Sequence, residues 1–401
     1  MNGERIAIIG GSLAGCAAAM AVRRAAAGLV TVFDRTEGGL EDRGVGLGVS
    51  STLCRELEDA GYLDSEVPYI QLSDRRWVTS DGKSRGGKVI GAQEFDFRGY
   101  SWGSLWRSLR DKVPHNVGYR TGCQATTVVD TGDDVVVTLR DGSEERFDAV
   151  LGADGYRSVV RAAMHPDVKA EYAGYLLWRG TIPVKDVPDP DEIWGADEAV
   201  GVVFPGGHLM MYLVADRFGE SVLNWAVYSA PSAELVPRLD DPTSLPPGTI
   251  DAELLDHFGS LTKEMPPYWR ELLSRASRRE VLAQPIYDVE VPACSKGRLA
   301  LFGDASAVAR PHAGGGAAKA LQDALALQQA LDHGSGWVEA LRQYDERRLP
   351  ANRSLVALGR ALGEATVVNA PDWQKMEPAE FAGWWGRVVA GRKLGGTTAK
   401  Y

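Results

Sequence analysis

The chain has 401 residues, 44% hydrophobic and 24% charged, values that exclude a disordered, collagenous or coiled-coil protein and predict about two domains. Lys and Arg number 44 against 54 Asp and Glu, a formal net charge of −10, which speaks against nucleic acid or an anionic membrane as the main partner. No apolar run approaches the roughly 18 residues of a membrane span, and no basic, cleavable leader opens the chain, so a cytoplasmic location is expected. The four cysteines, Cys16, Cys54, Cys123 and Cys294, are scattered outside any C-x-x-C or Cys/His cluster, which predicts reduced thiols and no metal site.

In chain order, residues 5–9 read as a buried parallel strand, followed by a Gly-rich turn and an Ala-rich helix from about Leu13 to Ala27. Residues 29–34 supply a second strand and complete a βαβ unit. From Ile70 to Phe97 short strands are expected, with turns at Asp81-Gly82 and Arg85-Gly86-Gly87. Residues 102–113 look helical, and 118–150 form a meander with turns at Thr131–Asp134 and Asp141-Gly142. The β-branched and aromatic stretch from Tyr172 to Ala230 predicts an antiparallel sheet. Helical periodicity covers 251–276, a last strand 298–302, and a further helix begins near Gly316. The remainder is mostly helical, and the tail beyond Pro371 is unassigned. The fold class is α/β (α+β): a Rossmann-like domain interwoven with an antiparallel-sheet domain, with a helical C-terminal part.

Three motifs carry chemistry. Gly10-Gly11-Ser12-Leu13-Ala14-Gly15 is a variant of the dinucleotide fingerprint. Gly10 suits the tight turn, Gly15 the close packing of helix on strand, and the helix N-terminus offers N–H groups to a pyrophosphate. Ser12 replaces the middle glycine and brings a hydroxyl instead. Asp34 ends the second strand, where a carboxylate would accept from ribose hydroxyls. The second motif is Gly152-Ala153-Asp154-Gly155, running on to Arg161. The third is Gly303-Asp304-Ala305, followed by Arg310-Pro311-His312-Ala313-Gly314-Gly315-Gly316-Ala317-Ala318, where Asp304 suits a polyol and the glycines a nest of N–H donors for an anion. Taken singly, each has a plain alternative as a turn or loop without a ligand.

In order and spacing the three together resemble the single-component FAD-dependent aromatic hydroxylases, over about residues 5–350. The resemblance implies a division into an FAD-binding domain (1–72, 98–170 and 284–370), a substrate domain (73–97 and 171–283) and a C-terminal segment (371–401). It implies that Gly10, Ser12, Leu13, Gly15, Asp34 and Arg35 hold the ADP half of FAD, with Ala125 also in the cofactor set. Asp304 would hold the ribityl chain, and Asp154 and Gly155 would serve FAD and the nicotinamide. Pro311 and Gly314, Gly315, Gly316, Ala317 and Ala318 would face the flavin. The cofactors implied are FAD and NADPH or NADH as a transient co-substrate. Partners would be a small aromatic or heteroaromatic substrate and O₂, without nucleic acid or membrane; a homodimer is one open option. Many members place an Arg at the start of the helix after the first β excursion; here Trp102 stands there, with Arg107 as a substitute. Trp178–Pro183 is similar to the W-x-W-x-I-P signature of flavin-dependent halogenases, but Gly180 replaces the second Trp, and a plain strand is expected.

The activity implied is hydroxylation of an electron-rich ring through a flavin C4a-hydroperoxide. His312 is expected to orient or deprotonate a ring hydroxyl, with a pKa suited to neutral pH, the alternative being a helix-capping histidine. Substrate-binding candidates are His208, Met211, Tyr212, Asn224, Trp225 and Arg179. His208 and Tyr212 share one strand face and Met211 the other, and periodicity leaves open which lines the pocket. With few arginines in this sheet the expectation is a flat, weakly charged substrate. Epoxidation or Baeyer–Villiger oxidation is the alternative within enzymes; a flavin-binding protein without oxygenase turnover is the alternative outside them.

Overall fold

The computed structural model describes residues 3–25, 28–40, 46–188, 193, 195–231, 249–277, 280–333 and 336–395. Its first strand, Arg5–Ile9, is apolar on both faces and sits inside a six-stranded sheet, flanked in parallel by Leu29–Phe33 and Ala149–Gly152. Leu299–Leu301 pairs in parallel beyond Ala149–Gly152, and Gly118–Arg120 in parallel beyond Leu29–Phe33. Sandwiching by helices explains why these strands are continuous hydrophobic runs rather than alternating ones. The helix Leu13–Arg24 packs against the helix Gly316–Asp332. Buried alanines on both, such as Ala17, Ala21, Ala320 and Ala324, make their contact faces small. Ala27, the expected end of the first helix, lies outside the described residues.

The second sheet has nine strands, in the order Ala307–Val308, Leu282–Glu290, Glu171–Pro183, Ser221–Ser229, Gly207–Ala215, Glu198–Phe204, Ile70–Thr79, Lys88–Ser101 and Gly46–Ser50. It is not wholly antiparallel: Glu198–Phe204 joins Ile70–Thr79 in parallel. Those two strands belong to hairpins separated by a long excursion through the first sheet, so a hairpin turn cannot join them. Residues 118–150 are likewise not one meander. Gly118–Arg120 and Ala149–Gly152 enter the parallel sheet, and only the three strands between them form an antiparallel unit.

One face of the nine-stranded sheet is sealed by the helices Ala252–Leu261 and Pro267–Ser274, and the core there holds Trp178, Met211, Trp225 and Trp269. Its other face turns toward the glycine-rich loops of the parallel sheet. The tail left unassigned from sequence contains a helix, Pro378–Val389, started by a capping box between Glu377 and Glu380. That helix lies across Lys88–Ser101 and buries Phe381 beside Trp77 and Trp373. No helix among the described residues is long and apolar enough to cross a membrane.

Candidate active site

The turn after the first strand is held by close backbone approach. Gly10 has φ = 102°, and a Cβ there would lie 2.3 Å from the Ala153 carbonyl oxygen. A Cβ at Gly15 would lie 1.8 Å from the Gly10 oxygen. Any side chain at either position would drive strand, helix and the Gly152–Gly155 loop apart. Ser12 is the N-cap residue, yet its hydroxyl makes no capping bond, and Ser12 and Leu13 line a cavity. Asp34 accepts from the Gly11 N–H and the Thr36 N–H, both at 2.7 Å. A carboxylate has about four acceptor positions, so a ribose hydroxyl can still be received. Trp106 Nε1–H and the Tyr119 hydroxyl donate to the Gly11 carbonyl at 3.0 and 2.6 Å, a pair of supports that sequence reasoning missed. Arg35 is exposed, and neither it nor Asp34 lines the cavity.

The Gly303-Asp304 turn is anchored from beneath. Asp323, fully buried, accepts from the Gly303 N–H at 2.9 Å, Lys319 Nζ at 3.0 Å and Arg348 Nε at 2.6 Å. Burial alone would raise its carboxyl pKa, but Lys319 and Arg348 outweigh that and hold it below the ordinary value. Lys319 also donates to the Gly303 carbonyl at 2.6 Å. This leaves Asp304 open to the cavity, its carboxyl pushed up by the surrounding protein and opposed by Lys319 and Arg161. Asp154 serves first as a structural acceptor for the Val159 N–H at 2.7 Å, while its Oδ1 is buried without a partner. Gly155 lines the cavity beside it.

The cavity, about 520 Å³, lies between these loops and the open face of the large sheet. Its lining settles the question of faces. His208, Met210 and Tyr212 point into it from one strand, Asn224, Ala226 and Tyr228 from the next, and Arg179 from a third. Met211 and Trp225 do not: alternation turns both into the core beneath the helices, where each is fully buried. Ala125 is buried core at the start of a strand of the three-stranded sheet and, like Asp34, is not among the cavity-lining residues. Gly314 to Ala317 line the cavity, whereas Ala318 packs inward. Trp102 lines it too, and Arg107 sits on an exposed helix face away from it.

His312 stands where the two ends meet. It lies in the short turn Pro311–Ala313 that precedes the glycine nest, and both it and Pro311 line the cavity. It does not cap the following helix, whose N-cap is Gly315; its Nε2 is paired with the Tyr175 hydroxyl at 2.8 Å. Its ring sits 4.1 Å from that of Tyr228 and 5.1 Å from that of His208. Burial, then His208 and Arg310, push its pKa well below the ordinary value, which corrects the expectation of a group titrating near neutrality. His208 is lowered to about 3 by burial and Arg75. Both shifts favour the neutral imidazole.

Sequence reasoning missed Arg75, Trp77, Phe95 and Trp385, which also line the cavity. Arg75 and Arg76 are adjacent in a strand and indistinguishable by composition. Only the fold turns Arg76 outward to Glu198, at 2.8 Å, and Arg75 inward.

No protein-family model matches the chain. It is 27% identical to 2,6-dihydroxypyridine 3-monooxygenase of Paenarthrobacter nicotinovorans, across 86% of this chain and 87% of that one. It is 29% identical to 3-amino-4-hydroxybenzoate 2-monooxygenase of Streptomyces cremeus, across 90% and 87%. The solved structure of 2,6-dihydroxypyridine-3-hydroxylase from Arthrobacter nicotinovorans superposes with a TM-score of 0.82 at 25% identity, covering 92% of this chain and 94% of that one. The chain is a homologue of the FAD-dependent aromatic hydroxylases. It is an oxidoreductase of the flavin-dependent monooxygenase type.

An FAD of this hydroxylase type fits the residues present. The cavity-facing Asp304 carboxyl suits the hydroxyls of a polyol chain, and the Ser12 hydroxyl at a helix start suits a phosphate. A Cβ at Gly155 or Gly316 would meet nothing within 4 Å, so room for a ligand exists beside both loops.

Proposed function

We propose that the protein is an FAD-dependent, NAD(P)H-consuming monooxygenase that hydroxylates an electron-rich aromatic or hydroxy-heteroaromatic ring. The observation that carries this reading is His312, seated in one cavity between the cofactor loops and an aromatic sheet face and oriented by Tyr175. Residues 1–72, 98–170 and 284–370 would form the FAD-binding domain, 73–97 and 171–283 the substrate domain.

Bound FAD would supply the two-electron chemistry and the activation of O₂ that these side chains cannot. Asp304 would hold the ribityl hydroxyls, and the N–H groups of Gly314 to Ala317, at a helix N-terminus, would stabilise negative charge on the ring system. The aromatic face of Tyr212, Tyr228 and Phe95 keeps water from the reacting centre. Because Nε2 of His312 is engaged by Tyr175, its Nδ1 is the atom for a ring hydroxyl. Nδ1 accepts that hydrogen bond in the neutral tautomer whose Nε2–H donates to the Tyr175 oxygen. The same burial makes it a weak base, so it polarises and orients the hydroxyl more than it strips the proton.

The test is direct. Purified protein should be yellow, bind one FAD per chain, and oxidise NADH or NADPH faster with a hydroxylated aromatic, hydroxypyridine or quinolone that gains one oxygen atom. Protein that neither retains nor rebinds FAD, or a full panel that yields no oxygenated product, would overturn the reading.

A further inference from the structure

We propose that the substrate carries a carboxylate on its ring, and that Arg75 is the residue that reads it. This rests on the oxygenase reading above and names its substrate class.

Arg75 lies on the strand Ile70–Thr79, is 5% exposed and lines the cavity. Its guanidinium is boxed by the rings of Trp77, Phe95 and Trp385, with centroids at 4.9, 5.0 and 4.8 Å. Aromatic faces attract a cation but accept none of its directional hydrogen bonds. Its Nε and Nη2 are buried and have no hydrogen-bond partner, and Arg75 has no acidic partner among the described residues. Those two nitrogens form one edge of the guanidinium, with two parallel N–H groups that match the two oxygens of one carboxylate. A phenolate, with one oxygen, would leave half of that edge unmet.

The other cavity arginines offer less of a fork. Arg310 is paired with Asp288 at 2.8 Å. Arg179, whose Nε is also buried without a partner, gives the adjoining Nη2 to the Gly46 carbonyl at 3.2 Å, so that only Arg75 keeps both nitrogens of that edge unpartnered. Asp304, the one acid among the described lining residues, belongs to the cofactor end. An uncompensated buried cation is costly, and its retention is explained when a ligand brings the missing charge. Burial lowers the Arg75 pKa to about 9, which leaves it charged at neutral pH.

The experiment titrates FAD-loaded protein with benzoate and with benzamide, following the flavin spectrum and tryptophan fluorescence. Wild type should bind benzoate at least tenfold more tightly than benzamide, the usual order for a charge-assisted pair. In Arg75→Gln the ratio should fall to within twofold while FAD is retained. Arg75→Lys, which keeps the charge and loses the fork, should fall between. Equal binding of the two probes by wild type, no binding of either, or an unchanged ratio in Arg75→Gln would overturn the proposal. Should Arg75→Gln fail to fold, the wild-type ratio and Arg75→Lys decide. Loss of FAD by wild type would instead overturn the oxygenase reading, so the two failures are separable.

Discussion

The two ends of the cavity are built by opposite means. At the cofactor end, short consecutive stretches place backbone N–H groups, and a buried ion network around Asp323 holds them in position. At the substrate end, single side chains from many strands converge, mostly aromatic, aliphatic or neutral, with Arg75 and Arg179 as the cations among them. A backbone cradle tolerates little change in its supports, because those supports are shared by the whole turn. A side-chain wall is divisible, so one substitution should change selectivity or coupling while the fold stays intact.

The contrast is broken most forcefully at Asp323. Asp323→Ala leaves Lys319 and Arg348 buried without their counter-charge, and a loss of about 3–5 kcal/mol is expected for breaking such a pair. Thermal denaturation should show it, together with loss of FAD. A variant that melts like wild type would show that the turn does not depend on this network.

His312→Ala tests the other end. FAD should be retained and flavin reduction should survive, because the cofactor contacts proposed above lie at Asp304 and the glycine backbone. Hydroxylation should fall by about 10²-fold, the lower range for loss of a positioned base. Reducing equivalents would then leave as H₂O₂. The ratio of product formed to NAD(P)H consumed measures this, and an unchanged ratio would remove His312 from the catalytic set.

Within the cofactor end, Asp304→Ala should weaken FAD more than Asp34→Ala. Asp304 faces the cavity with its carboxyl uncommitted, while Asp34 already spends one acceptor position per oxygen on Gly11 and Thr36. A loss of about 1–3 kcal/mol is expected for the former, the range for a hydrogen bond to a charged group. FAD titration of the apoprotein gives both values; equal affinities would show that the two acids are not distinguished by burial.

The smallest effect is one of pH. His208 and His312 have folded pKa values below the unfolded one near 6.5, so the unfolded chain binds more protons in that interval. Their contribution to stability is complete above pH 6.5 and is lost as pH falls toward the folded values. For each group the slope approaches about 1.4 kcal/mol per pH unit. The His208→Gln variant should therefore lose stability less steeply than wild type between pH 6.5 and 5. Parallel curves would mean that His208 titrates alike in both states.

The cofactor end was largely legible in the chain because its determinants are local. A glycine at a positive φ, a helix N-terminus and a carboxylate at a strand end are fixed by neighbours a few residues away. The turns at Gly10, Gly155 and Asp304 and the glycine run before the last long helices could therefore be read without coordinates, although Ala318, expected with that run, packs inward. What the local pattern could not convey was the support beneath: Asp323, Lys319 and Arg348 come from two helices whose packing brings the three charges together. Nor could it assign Asp154 to the helix start at Val159.

The substrate end was set by tertiary structure. Alternation along Gly207–Ala215 and Ser221–Ser229 divides the residues into two sets but is symmetric between them. The docking of the helices Ala252–Leu261 and Pro267–Ser274 on one face breaks that symmetry, sending Met211 and Trp225 to the core and His208, Tyr212 and Asn224 to the cavity. The same applies to Arg75 and Arg76, one residue apart and opposite in fate. Composition and local spacing settled which backbone turns would form. Which side chains those turns would face was decided by the sheet's two sides, because burial of one face is a property of what packs on it and not of the strand itself.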